Sequence, residues 1–374
     1  MAYTAPTVNY CATMDGTYTT LTGVQNVRVT RGRQRFQDPF PPTTLTVELI
    51  PANSYAVPLA VGQFIDVKDT NIAASSAYFV GQITDVQRSY GIPYNSVSGA
   101  APADRITITA TGATGVIGAN TLTNYVWASD GALTTAKNLM NSLNVHVLMA
   151  TGSETQVSGQ TYTGAALEAV NKLCMSGQFT ITDWDNQRAI TSGRPLGIIT
   201  YYTGGGQAYT FRDTAGSGYR YNAIEYLSSV QNAFTQVQVN PEGLASQSAA
   251  TGSAPYNTCV LDTYNANTTD AASLASYVLT MNSQTIPVPF MIRSDTAVQS
   301  DIMNFGIMIN YPLGVRGTVI FRGATVSCVM EGIELNWTQD MGSVVAYFSP
   351  TLGVPFILDN TTYGILDTNR LGYP

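Results

Sequence analysis

The chain has 374 residues and carries 17 basic against 24 acidic side chains, for a net charge of −7. A length beyond the roughly 250 residues at which single cores stop growing argues for two domains or more. The negative balance argues against wrapping an extended nucleic acid, which needs a broad basic footprint, and only 11% of the residues are charged where an average soluble protein has about 25%.

From the start to about Gly112, apolar and polar residues alternate with period two, as in Val24-Gln25-Asn26-Val27-Arg28-Val29, Thr44-Leu45-Thr46-Val47-Glu48-Leu49, Phe64-Ile65-Asp66-Val67 and Arg105-Ile106-Thr107-Ile108-Thr109. This predicts short, half-buried antiparallel strands in a barrel or sandwich. Between the first two lies Arg31-Gly32-Arg33-Gln34-Arg35, in which an extended chain projects three guanidinium groups to one side. In an acidic protein this is a focused anion-seeking patch. It reads as a solvated loop balanced by Asp38 and Glu48, as a contact for an acidic neighbouring subunit, or as a nucleic-acid contact. Gly112-Ala113-Thr114-Gly115-Val116-Ile117-Gly118 follows a strand, but without a Lys-Ser/Thr pair or a following helix it is not read as a phosphate loop.

The middle of the chain changes character. Asp130 or Ser129 is placed to cap a helix whose apolar positions Leu133, Ala136, Leu139, Met140 and Leu143 recur at helical spacing. A second helix is expected from about Gly164 to Met175, with Thr163 as cap and Gly177 at its end, followed by the strand Phe179-Thr180-Ile181-Thr182. Asn222 to Tyr226 and Phe234 to Val239 read as a strand pair, Glu242 to Asn257 as a polar, mobile loop, and a third helix is expected with its cap near Thr268 or Thr269, Asp270 in its first turn and Leu274, Tyr277, Val278 and Met281 on one face.

The end of the chain echoes its start. Gly62 to Val67 followed by Phe79-Val80-Gly81-Gln82-Ile83 is matched by Gly317-Thr318-Val319-Ile320 followed by Val329-Met330-Glu331-Gly332-Ile333. In each pair a glycine opens a strand, and the second strand carries a glycine step where a bulge can form, which suggests a duplicated β module. The resulting expectation is a mainly β protein with two barrel-like antiparallel β domains and a small α+β insert. Its parts are residues 1–125 (first barrel-like domain), 126–215 (α+β insert), 216–285 (strand pair, mobile loop and helix) and 286–374 (second barrel-like domain).

Signals for chemistry are sparse. The single histidine, His146, sits in an apolar strand-like segment, and Cys11, Cys174, Cys259 and Cys328 lie too far apart for a zinc motif and read as reduced, buried thiols. Glycoside hydrolysis needs two carboxylates about 5 to 10 Å apart, for which Asp183 with Asp185, and Glu331 with Glu334, are the candidate pairs, although Asp183-Trp184-Asp185-Asn186 also reads as a turn. Tyr201-Tyr202 and Tyr209 flank Gly204-Gly205-Gly206, a hairpin tip, and would serve a glycan-binding surface if exposed. No catalytic, cofactor or metal site is predicted; Arg31, Arg33 and Arg35 are the interface candidates. No window approaches the eighteen or so apolar residues of a membrane span, and the start lacks the order of a secretory signal, so use without translocation is expected.

The run Val27-Arg28-Val29-Thr30-Arg31-Gly32-Arg33, then Leu45 to Leu49, Gly62 to Val67 and Phe79-Val80-Gly81-Gln82-Ile83-Thr84-Asp85-Val86, resembles the start of minor tail proteins of long-tailed bacteriophages, of the baseplate-hub type. The resemblance extends through Asn222-Ala223-Ile224, the helix after Asp270, Gly332-Ile333-Glu334-Leu335 and Val345 to Pro350. It implies two barrel-like domains arranged so that three copies match a six-fold tail ring, in a structural adaptor between tail tube and distal tip proteins, assembled in the host cytoplasm and carried in the virion. A surface of hydroxyl and amide groups, which other subunits cover at little desolvation penalty, fits that role. A hexameric distal-tail ring protein, a receptor- or carbohydrate-binding module and a glycoside hydrolase are the alternatives.

Overall fold

The computed structural model describes residues 5–13, 16–51, 57–68, 77–91, 104–149, 154–183, 196–201, 209–214, 216–227, 234–282, 288–296 and 313–350. Seven strands come first: β1 (Thr7–Cys11), β2 (Thr19–Thr20), β3 (Val24–Gly32), β4 (Thr44–Leu49), β5 (Phe64–Lys68), β6 (Ala77–Ser89) and β7 (Arg105–Thr111). Helices and short strands then alternate: α1 (Ala113–Gly118), β8 (Thr121–Trp127), β9 (Asp130–Gly131), α2 (Ala132–Ser142), β10 (His146–Met149), β11 (Gln156–Val157), β12 (Gln160–Ala165), α3 (Ala166–Gly177), β13 (Phe179–Thr182) and β14 (Leu196–Tyr201). There follow β15 (Tyr209–Arg212), β16 (Tyr219–Arg220), β17 (Ala223–Glu225), β18 (Gln236–Pro241), β19 (Gln247–Ala250), β20 (Thr258–Thr263), α4 (Thr268–Asn282), β21 (Met291–Asp295), β22 (Arg316–Phe321), β23 (Ala324–Thr338) and β24 (Gly342–Pro350). The protein is mainly β with an α+β insert, as expected.

Alternation decides which face of each strand is buried. In β4, Leu45, Val47 and Leu49 are buried while Glu48 is exposed; in β7, Ile106, Ile108 and Ala110 are buried between half-exposed threonines. The two β regions expected as separate modules are hydrogen-bonded to each other. One sheet of fourteen strands runs β16-β15-β22-β23-β3-β4-β7-β6-β5-β1-β2, with β24, β21 and β17 attached to β23. Its inner face forms the first core, which mixes Val29, Leu45 and Ile108 from the start of the chain with Ile333, Leu335 and Phe348 from its end.

The join depends on β23. Its first half pairs with β22 and its second half, Gly332 to Thr338, pairs antiparallel with β3, while β24 follows along the opposite edge. A register shift between Met330 and Gly332 marks the change of partner, so the bulge expected from the glycine step is present. The corresponding strand, β6, also shifts register, between Ile83 and Asp85. At the join two main chains approach closely through glycine. A Cβ on Gly332 would collide with the Arg33 carbonyl, and one on Gly32, which has φ of +76°, would collide with the Glu331 carbonyl and Leu313.

Two further cores lie beside the sheet. The second packs α2 and α3 against Trp127, Val145 and Phe179, and the third packs α4, through Ala271, Leu274, Val278 and Met281, against Val237 and Val239 of the three-stranded sheet β19-β18-β20. The α4 residues recur at i, i+3, i+7 and i+10, which is the helical face read from the sequence. Its first turn is closed by Asn267, whose side-chain oxygen accepts the Asp270 N–H at 2.8 Å.

Several local expectations are corrected. The residues at 113–118 do form a helix, α1. α2 begins after Gly131 and is capped from a distance: the Glu154 carboxylate accepts the Thr134 N–H at 2.9 Å and its hydroxyl at 2.8 Å, whereas Ser129 donates to the Val157 carbonyl. α3 begins after Ala165, because Thr163 instead accepts the Asn124 N–H at 2.9 Å across the β8–β12 ribbon. It closes through Gln178, in the left-handed region, rather than through Gly177. β17 and β18 do not pair with each other; β17 joins β21 and β18 joins β19 and β20. The expected loop at 242–257 contains β19, held to β18 over four residue pairs. Trp184, Asp185, Tyr202 and Gly204 to Gly206 lie outside the described residues.

Gly32→Ala and Gly252→Ala separate close approach from backbone strain, since Gly252 has φ of +78° with no atom near its Cβ position. Both substitutions incur left-handed strain; Gly32→Ala is expected to cost about 1–3 kcal/mol more from overpacking. Urea midpoints of the two variants check this, and equal midpoints would show that the join tolerates a side chain.

Candidate functional site

The end of β3 and the segment leaving it carry the three arginines and between them touch all three cores. Arg31 lies on the face of β3 that holds Val27 and Val29 and is turned inward with them; Arg33, which follows the left-handed Gly32, is buried as well, against Phe36 and Phe40, so the three guanidinium groups do not form one exposed side and only Arg35 is half-exposed. The Arg33 Nε donates to the Glu331 carboxylate at 2.8 Å, its Nη1 to the Asp38 carbonyl at 3.2 Å, and its main-chain N–H to the Glu331 carbonyl at 3.1 Å. Its guanidinium lies 4.2 Å from the Phe40 ring centroid and 4.9 Å from that of Phe36. Phe40 belongs to the second core and Phe36 to the third. Arg35 grips the Asp38 carboxylate with two hydrogen bonds, of 3.1 and 2.9 Å.

Glu331 and Glu334, weighed together for hydrolysis, are separated in role by the bulge. Glu331 is fully buried on Arg33, while Glu334 faces outward, where it pairs with Arg28 at 3.1 Å and accepts the Tyr347 hydroxyl at 2.9 Å. Asp183 is buried at the foot of α1. Its carboxylate accepts the Thr114 N–H at 3.0 Å and the Thr114 hydroxyl at 2.6 Å, and Thr114 in turn accepts the Thr43 N–H at 2.8 Å. Burial pushes the Asp183 carboxyl up, against the pull of the Thr114 and Thr43 hydrogen bonds and of Arg31. Burial also draws Arg31 down to about 10, with the Asp183 carboxylate acting in the opposite direction, so Arg31 stays cationic at neutral pH. Both carboxylates thus hold structure together: Glu331 closes the β3–β23 join, and Asp183 ties β13 to α1 and to the start of β4. His146 is half-buried in β10, beside β14. Tyr209 is buried, with its hydroxyl donated to the Val315 carbonyl at 2.9 Å, and offers no glycan platform.

A cleft of about 650 Å³ opens beside the arginine junction. One wall is the segment from Gln37 to Pro42, another is the face of α3 carrying Leu167, Asn171 and Met175, and the third is β20 at Val260 and Asp262. Asn171 fixes the first two walls together, accepting the Phe40 N–H at 3.0 Å and donating to its carbonyl at 3.3 Å. Most charges at the cleft are paired: Arg33 with Glu331, Arg35 with Asp38, and Lys172 with Glu168 at 3.4 Å. Sequence reasoning singled out the arginines and Glu331 separately but missed their pairing, and it missed β20 as a cleft wall because Thr258 to Thr263 lay beyond any motif it recognised.

The chain has the fold of bacteriophage tail proteins. It is similar to a tail protein from Neisseria meningitidis MC58, with a TM-score of 0.62 and 11% identity over 92% of this chain and 96% of that one. It is also similar to the 43 kDa tail protein of prophage MuSo2 from Shewanella oneidensis, with a TM-score of 0.57 and 12% identity over 92% and 97% of the two chains. A third likeness is to prophage tail protein gp18 from Listeria monocytogenes EGD-e, with a TM-score of 0.52 and 8% identity over 92% and 94%. No protein-family model matches the sequence. No curated protein matches it either.

Removing one partner of the buried pair leaves an uncompensated charge. Arg33→Ala or Glu331→Ala is expected to lower unfolding free energy by about 3–5 kcal/mol, while Arg33→Met with Glu331→Leu recovers most of that loss, measured by urea denaturation. The thiols give a second check. Burial pushes Cys174 up to about 12 and raises Cys328 and Cys259 as well, but Cys259 is only half-buried and so within reach of a reagent. Iodoacetamide at about pH 8 is expected to label Cys259 ahead of Cys174 and Cys328, which should react only after unfolding; early labelling of Cys174 would contradict the packing of the second core.

Proposed function

We propose that this chain is a structural, non-enzymatic component of a bacteriophage tail, placed at the tip as a baseplate-hub adaptor between the tail tube and distal proteins. The observation that carries this reading is the full-length likeness in fold to three tail proteins, each covered over at least 94% of its own length. Further support comes from how the chain uses its charges. The carboxylates Asp183 and Glu331 are engaged in holding elements together, and neither is left aimed at an open cleft.

Assembly as three copies is the arrangement the resemblance in sequence favours, with polar, weakly charged faces buried against sibling subunits. Arg31 and Arg33 serve that assembly indirectly, by fixing the segment from residue 33 to 42 that lines the cleft, and Arg35 through its hold on Asp38. The assembled protein would reside in the virion, having been put together in the host cytoplasm.

Copy number in isolated particles, quantified against the tail-tube subunit and compared with the mass of the free protein by light scattering, tests the reading. Three copies per particle is the expected result. Six would place the chain in a distal-tail ring, and absence from particles would overturn the structural role altogether.

A further inference from the structure

β20 is an edge strand that forms one wall of the cleft. Among the described residues it pairs with β18 alone, in parallel. The Gln236 N–H is donated to the Asn257 carbonyl and the Glu242 N–H to the Thr263 carbonyl, so the main-chain groups of Cys259, Leu261 and Thr263 point to β18. In a parallel ladder those of the intervening residues, Val260 and Asp262, must then point away from it, and neither has a main-chain partner among the described residues. The Val260 side chain is 55% exposed.

Natural edge strands are usually blunted by lysine, proline or a covering element. Thr258-Cys259-Val260-Leu261-Asp262-Thr263 has neither lysine nor proline. Across the cleft stand the apolar side chains Phe40, Leu167 and Met175. Asp262 accepts a hydrogen bond from Asn240 at 3.2 Å, but unlike Asp38 and Glu168 it has no cation beside it among the described residues.

We propose that β20 accepts an added strand: an extended segment of a different tail protein, carrying apolar side chains toward the cleft and one lysine or arginine beside Asp262. Outward main-chain donors and acceptors select an extended backbone, the apolar wall selects alternate side chains, and the lone carboxylate selects the basic residue and sets the register. A second β20 is the poorer occupant, since antiparallel pairing of β20 with itself needs a two-fold axis that a three-fold ring lacks, and another segment of a sibling copy is an outcome that the test separates. The proposal rests on the tail reading above.

The test replaces Val260 with p-benzoylphenylalanine in the full-length chain, irradiates assembled particles and identifies captured peptides by mass spectrometry. The expected result is capture of a Lys- or Arg-bearing segment of another particle protein. In the same background Asp262→Lys should reduce capture at least tenfold while Asp340→Lys, an exposed control, leaves it unchanged, with Tm unaltered in both. Capture of residues 351–374, capture of a second copy, or no capture from particles that contain the chain each overturns the added strand while leaving the tail reading intact. Absence of the chain from particles overturns both.

Discussion

The pairing of β3 with β23, sealed by Arg33 on Glu331, is the constraint on which the rest of the molecule depends. These residues are 298 positions apart, so the contact closes almost the whole chain into one loop and brings its two β regions into one sheet. The entropy of such a closure grows only slowly with length, but it has to be offset by contacts that form together. They do so here because β3 and the segment that follows it contribute between them to every core. Val29 is in the first, Phe40 in the second and Phe36 in the third, and the Arg33 guanidinium lies against both rings. Loosening the ion pair would therefore unsettle three cores rather than one.

What the sequence made legible follows from how local each signal was. Strand alternation in β4 and β7, and the apolar face of α4, needed only neighbouring residues to be read. The glycine step at Gly332 was legible for the same reason, and so was its bulge. Features completed by distant groups were not. α1 is six residues long and is anchored by a carboxylate 69 positions away, and α2 is capped by Glu154 from twenty positions downstream. No local pattern announces either partner.

The arginines show the same limit in sharper form. The period of an extended chain would put Arg31 and Arg33 on one side, but the left-handed Gly32 between them breaks that period. Which side faces inward is fixed by register against β23, a non-local fact, and inward burial was made tenable by Glu331 and Asp183, which sequence reasoning weighed as catalytic candidates. The most charged-looking motif of the chain and its most enzyme-like carboxylates turn out to explain one another. Each needs the other in order to be buried, because an isolated charge in a low-dielectric core is strongly disfavoured.

This pairing bears on how the outside of the protein can recognise anything. With only 11% of residues charged and Arg31, Arg33, Asp66, Asp183 and Glu331 all buried, the surface has few ions with which to specify a partner. Exposed ion pairs such as Arg28 with Glu334 are screened and contribute at most about 1 kcal/mol. Specificity on such a surface has to come from shape and from directional main-chain groups, whose donors and acceptors have fixed spacing and no long flexible side chain to immobilise. The same economy of charge makes a lone carboxylate beside an open strand edge more informative than it would be on an ordinary surface. On a heavily charged protein Asp262 would be one of many competing sites; here its nearest charged neighbours in the cleft are already engaged with each other, so a single basic side chain on an incoming strand has one register in which to settle.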